Sequence, residues 1–185
     1  VVKVGDDSSG LLLKDNRVFV EQQPSEEQEV ATKKYVDDNT GGSTEFRQIL
    51  HGRFNYSYTA GSKVFLPLNG TMSELTNTTS VNEFRSYVAP YDGYLNQVIM
   101  RSEEACGSTV VGFHKSSTGT EIPNSTAEVE VTVDMTADDT ATKFAFTSSN
   151  TFSAGDIISI SFDPTNDAND SNFTAELILD SSSGL

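Results

Sequence analysis

The side chains with the widest chemical repertoire in this chain are few: two histidines, His51 and His114, and one cysteine, Cys106, beside 27 aspartates and glutamates. A nucleophilic site needs a hydroxyl or thiol, a base beside it and a third group that orients the base. No such set stands out. Each histidine falls inside a run of strand-forming residues, where a structural role is the expectation. Cys106, between Ala105 and Gly107, reads as a small buried hydrophobe at a strand end. A single cysteine can form neither an intrachain disulfide nor a zinc cluster. Gly41-Gly42 follows a helical pattern instead of opening one, and lacks the Lys-Ser or Lys-Thr of a phosphate loop. Glu103-Glu104 and Asp138-Asp139 are carboxylate pairs of the type that cleaves glycosidic bonds, but neighbours on a turn are expected to be solvated. The expectation is a protein that is not an enzyme.

One segment concentrates oxygen donors. Asp163-Pro164-Thr165-Asn166-Asp167-Ala168-Asn169-Asp170 supplies the hard ligands that calcium selects. It lacks the glycine at the sixth and the glutamate at the twelfth position of an EF-hand loop, so two expectations stand: a weak calcium site on Asp163, Asn166, Asp167, Asn169 and Asp170, or an Asx-rich turn. No other cofactor is expected. Asn-x-Ser/Thr triplets at Asn55, Asn69, Asn77, Asn124, Asn169 and Asn172 are a by-product of a composition rich in these residues.

The net charge of −15 and pI near 4.3 make the average surface repel phosphate backbones and anionic headgroups, so nucleic-acid and membrane-surface partners are not expected. No run approaches the roughly 20 apolar residues of a membrane-spanning helix. The first residues lack the layout of a signal peptide, and the chain opens on Val1, as a fragment or processed form would.

These residues must be positioned mainly by strands. Residues 1–23 alternate short apolar runs, Val1–Val4, Leu11–Leu13 and Val18–Val20, with turn signals. Pro24 and Ser25 then open a helix, with Ser25 as N-cap and Gln28 completing a capping box, and Asn39-Thr40-Gly41-Gly42 ends it. So short a helix needs a partner to bury Val30, Ala31, Tyr35 and Val36. Either further copies of the chain or its own head domain supplies it. From Phe46 onward, short strands alternate with turns, and Val129, Val131 and Val133 are separated by Glu130 and Thr132. Strands are predicted near residues 46–56, 63–66, 84–88, 94–101, 109–114, 127–134, 143–147, 156–162 and 173–179. No crossover helix separates them, so the sheets are antiparallel. The predicted fold is mainly β: a stem of short strands and helix over residues 1–43, then an antiparallel β-sandwich head, a jelly roll, over 44–185.

The segment Ala31-Thr32-Lys33-Lys34-Tyr35-Val36-Asp37 resembles the Ala-Thr-Lys-x-Tyr-Val-Asp element of bacteriophage tail-fibre and related virion proteins. That resemblance implies a helix that bundles with copies of itself, commonly three, through Val30, Ala31, Tyr35 and Val36. Val88-Ala89-Pro90-Tyr91-Asp92-Gly93-Tyr94-Leu95 and Phe152-Ser153-Ala154-Gly155-Asp156-Ile157-Ile158-Ser159-Ile160 are similar to segments of small trimeric jelly rolls, including tumour-necrosis-factor-like heads and marine phage structural proteins. The resemblance implies a virion-located fibre or spike component, a homotrimer that meets other virion proteins and contacts a host cell-surface glycan or protein. Three alternatives are carried forward. They are a capsid or particle decoration protein without receptor binding, a cellular trimeric lectin-like or cytokine-like head, and a tail-associated polysaccharide depolymerase, which would show stacked β-helix repeats.

Overall fold

The computed structural model describes residues 11–14, 17–20, 44–54, 60–61, 63–68, 85–117 and 122–185. The chain divides into two units, Val1–Ser43 and Thr44–Leu185. The first holds an antiparallel hairpin of β1 (Leu11–Lys14) and β2 (Arg17–Val20), with Lys14 opposite Arg17. The helix predicted from Ser25 to Asn39, and Val30, Ala31, Tyr35 and Val36 with it, lies outside the described residues.

The second unit is built from two five-stranded antiparallel sheets, and no α-helix occurs among the described residues. One sheet contains β3 (Glu45–Phe54), β6 (Gly93–Arg101), β9 (Thr142–Ala145), β10 (Thr151–Phe152) and β12 (Ser171–Asp180). Its order is β10-β6-β12-β3, with β9 beside β6. The other contains β4 (Val64–Phe65), β5 (Tyr87–Val88), β7 (Gly107–Ser116), β8 (Val129–Met135) and β11 (Ile157–Pro164), in the order β4-β11-β7-β8 with β5 beside β11.

Alternation along the strands builds the core. On β12, Phe173, Ala175, Leu177 and Leu179 face inward; on β11, Ile158, Ile160 and Phe162 do; on β7, Val111 and Phe113 do; all join one apolar cluster fed by both sheets. The rings of Phe113 and Phe152, one from each sheet, lie 6.3 Å apart across the layer. Each large apolar side chain buried in this way contributes about 1.5–3 kcal/mol, so the layer between the sheets is the main source of stability.

The pairing is nested. β3 pairs with β12, β4 and β5 with β11, β6 with β9 and β10, and β7 with β8, as in one long hairpin folded back on itself. The remaining ladders, β12 with β6 and β11 with β7, close each sheet. Tight turns fix the register. Gly155 adopts φ +85° before β11, where Asp156 accepts a 2.9 Å hydrogen bond from the Ser153 amide and its own amide donates to the Ser153 carbonyl at 3.0 Å. The Ala-Gly-Asp segment singled out in the sequence is this turn.

Candidate functional site

Three polar assemblies sit around this scaffold. The first lies on the outer face of the sheet that contains β7 and β11. Because Val111 and Phe113 point into the core, His114 points outward, yet it is fully buried. The connection between β7 and β8 folds over it: Pro123 is buried, the Asn124 carbonyl lies 3.0 Å from His114 Nδ1, and the Asn124 amide donates to the Lys115 carbonyl at 3.3 Å. A carbonyl only accepts, so Nδ1 carries the proton, and Nε2 accepts from the Ser161 hydroxyl at 2.8 Å. The Phe65 ring meets the imidazole edge-on at 4.9 Å.

Gly112 makes room for this pair, since a Cβ there would stand 2.6 Å from Ser161 Oγ and 3.1 Å from His114 Nε2. Ser159, opposite His114 in the register, is buried with no hydrogen-bond partner for its hydroxyl among the described residues. Burial pushes the His114 pKa below the usual 6.5, and the nearby Lys63 ammonium acts in the same direction. Hydrogen bonds to the backbone at Asn124 and Thr126, and the charge of Glu130, oppose that shift. Ser161 and His114 have the bonding of a nucleophile and its base, but with 1% and 0% exposure they are closed to a substrate. What the arrangement does is hold the connection between β7 and β8 against the sheet.

The second assembly is the acidic segment predicted as a calcium site. Asp163 and Pro164 complete β11, and Ser171 and Asn172 begin β12, so the connection itself is shorter than the polar run. Ala168 is buried at its centre. Asp167 Oδ1 accepts from the Ala60 amide at 2.7 Å, and Asn166 Nδ2 donates to the Ala105 carbonyl at 3.3 Å. The Asn169 carbonyl accepts from the Ser102 hydroxyl at 2.8 Å and from the Glu103 amide at 3.0 Å. Asp170 takes φ +37°, the left-handed turn conformation that Asp tolerates. Asn166, Asp167 and Asn169 are thus engaged in tethering neighbouring loops. Among the described residues, no group of three His, Cys, Asp or Glu side chains converges to hold a metal ion.

The third assembly was not foreseen. On the outer face of the other sheet, the register of β6 against β12 slips between Glu176 and Leu177, leaving Asn96 as an extra residue. The bulge brings two consecutive amides to one carboxylate: Asn96 Nδ2 and Gln97 Nε2 donate to Glu176 Oε2 at 2.8 Å and 2.7 Å, while Arg47 Nε lies 3.3 Å from Oε1. Glu176 is 6% exposed, a carboxylate held by three donors. Around it run Arg47, Ile49, His51 and Arg53 of β3, all exposed, with Arg101 and Lys143 beyond. A row of alternate residues on an edge strand carries no sequence signal beyond the alternation itself.

Cys106 is fully buried, donating weakly to the Glu104 carbonyl at 3.4 Å, and burial raises its thiol pKa, as expected for an inert side chain. His51 is exposed on β3, opposite Thr174 of β12.

No protein-family model matches the chain, and no curated protein matches it. Among solved structures it is similar to the VP2 protein of infectious bursal disease virus in derived T=1 particles, at 8% identity and TM-score 0.38 over 76% of this chain and 33% of that one. It is similar to the protein of the Gx strain of the same virus, at 9% identity and TM-score 0.35 over 74% of this chain and 32% of that one. A third likeness is to the acid-stable capsid structure of Helicobacter pylori bacteriophage KHP30, at 16% identity and TM-score 0.30 over 72% of this chain and 93% of that one. The chain spans about a third of the length of the infectious bursal disease virus proteins. At these scores and identities the likenesses assign neither fold nor activity to this chain.

Proposed function

We propose that this chain is a non-enzymatic structural protein of a phage virion: a fibre or spike component whose helical stem, residues 25–39, forms a homotrimer and whose head is displayed toward the host surface. The observation that carries the reading is the nested pairing of the head. Counting β4 with β5 and β9 with β10 as one position each, the strands occupy two four-position sheets in the orders 1-8-3-6 and 2-7-4-5. That order supports a jelly-roll reading of the head, a double Greek key used by many viral coat and lectin heads. Fold alone does not fix function. The resemblance of segment Ala31–Asp37 to a phage stem element supports reading it as a virion component.

In this reading Val30, Ala31, Tyr35 and Val36 bury against their counterparts in two further copies, and other virion proteins anchor the stem. The head recognises a cell-surface glycan or protein weakly at each copy, and three heads together raise avidity by roughly 10²–10⁴. The described loops suit display only in part, because Asn124 and Asp167 are tied into the head.

An antibody raised against the chain, applied to purified particles from the source lysate, should label the particle surface by electron microscopy, and light scattering of the full chain at high salt, where charge-paired contacts between heads are screened, should return three times the chain mass. Label absent from particles, or a monomeric mass at micromolar concentration, overturns the reading. If fluorescent protein occupies particles yet binds no host cells, the head is a decoration and host recognition is wrong.

A further inference from the structure

We infer that the head carries a second self-association surface, independent of the stem: the exposed row on edge strand β3 of one copy pairs antiparallel with the exposed row on edge strand β8 of the next. Among the described residues β3 has one ladder neighbour, β12, and β8 has one, β7, so within these residues each is the last strand of its sheet. The two edges lie at different margins of the head. β3 is joined to β5 by a 2.7 Å bond from the Tyr87 hydroxyl to Gln48, whereas β8 lies against β9. One copy therefore offers both halves of the contact at once.

The chemistry of the two rows is complementary. The outward residues of β3 are Glu45, Arg47, Ile49, His51 and Arg53; the Arg47 side chain is 76% exposed and Ile49 is 51% exposed. The outward residues of β8 are Glu130, Thr132 and Asp134, and Glu128, just before the strand, continues the row; all are exposed. In a chain of net charge −15, a row whose Arg47-to-Arg53 stretch holds two arginines and a histidine, with its one carboxylate, Glu45, at the start of the strand, is the exception, and it matches a row with three carboxylates.

The spacing selects a direction. Laid antiparallel, Arg47 faces Asp134, Ile49 faces Thr132, His51 faces Glu130 and Arg53 faces Glu128. A parallel alignment leaves apolar Ile49 against Glu130. Directly opposed residues on paired strands stand about 4.5–5.5 Å apart at Cβ, close enough for each charge pair to act. Because one face meets a different face, the contact is heterologous and propagates head to tail unless rotation closes it into a ring. Unpaired edges that carry same-sign charge resist self-pairing but accept a partner of the opposite sign. Glu130 and Arg47 are shared, since Lys63 Nζ already lies 3.0 Å from the first and Glu176 Oε1 3.3 Å from the second. Arg53 and Glu128 therefore give the cleaner test.

The test is charge reversal in the full chain, read by sedimentation at low salt. Arg53→Glu alone and Glu128→Lys alone should each weaken head association by roughly tenfold, and the double variant should restore it. A second measurement does not depend on charge. Cys106 is buried, so an Ile49→Cys, Thr132→Cys double variant has two accessible thiols, and mild oxidation should give disulfide-linked ladders of the chain. Either single-cysteine variant should give none. Association unchanged by both reversals, failure of the double reversal to restore it, or single-cysteine variants that cross-link as readily as the pair would each overturn the inference. A stem variant, Tyr35→Asp, separates this contact from the proposed trimer: loss of the trimeric mass with cross-linking retained assigns the two surfaces separately.

Discussion

Lowering the pH through the mildly acidic range should destabilise the head through His114. The imidazole is buried and neutral, its Nδ1 proton given to Asn124 and its Nε2 accepting from Ser161, and burial holds its folded pKa below 6.5. Unfolding returns it to water and to the ordinary value of 6.5. Between those two values the unfolded chain binds more protons than the folded one, so stability falls as pH falls. The loss begins near pH 6.5 and ends at the folded pKa, below which this group contributes no further change. One proton sets a limiting slope of about 1.4 kcal/mol per pH unit. Because half of the unfolded population is already protonated at its own pKa, the loss over the first unit below it has an upper limit of about 1 kcal/mol. With urea dependences of about 1–3 kcal/mol per M, the unfolding midpoint should drop over that unit, by at most roughly 0.3–1 M. Lys63 and Glu130 are the charged groups that act on the ring, in opposite directions. Urea titrations at closely spaced pH values, on the wild-type chain and on His114→Gln, isolate the effect: the variant should lose the extra slope whatever its overall stability. Parallel pH profiles for the two proteins, or a wild-type midpoint that rises on acidification, would refute the assignment.

Three further outcomes follow from the same geometry. Gly112→Ala should lower stability by about 1–3 kcal/mol in denaturant titration, because the added methyl overlaps Ser161 Oγ and presses on His114. Ser159→Ala should raise stability by roughly 1 kcal/mol in the same assay, since it removes a buried hydroxyl without a partner. Asp167→Ala should lower the melting temperature equally in calcium and in chelator, because its carboxylate holds the Ala60 amide; a loss seen only with calcium present would instead make the acidic segment an ion site.

Strand positions were legible because alternation is local. Val129, Val131 and Val133 against Glu130, Thr132 and Asp134 mark both the strand and its buried face, and the long run Phe173–Leu179 is recovered inside β12. Strand partners were not legible, because β3 and β12 meet through contacts between distant parts of the sequence that leave no local pattern. The two-residue β10 is too short to show any period. Asn96 and Gln97 read as ordinary strand residues, and only the slipped register reveals that both serve Glu176. His114 was placed correctly in a strand, but its burial on an outward position depends on a connection that crosses the sheet. The acidic segment offers the right atom types for calcium, but its composition does not show that Asp167 Oδ1 accepts from the Ala60 amide and Asn166 Nδ2 donates to the Ala105 carbonyl.

The nested pairing also sets a timetable for synthesis. β3 emerges from the ribosome first among the strands of the head, yet its ladder partner is β12, which also separates it from β6. Until Ser171–Asp180 has been made, β3 and β6 have no common neighbour, and both expose open hydrogen-bonding edges and the apolar faces of Leu50, Leu95 and Val98. Contacts of such long range close slowly, on the millisecond-to-second scale of high contact-order β proteins. The nascent head therefore cannot complete this sheet before β12 has been made, and its aggregation hazard peaks just before that strand is inserted between two waiting neighbours.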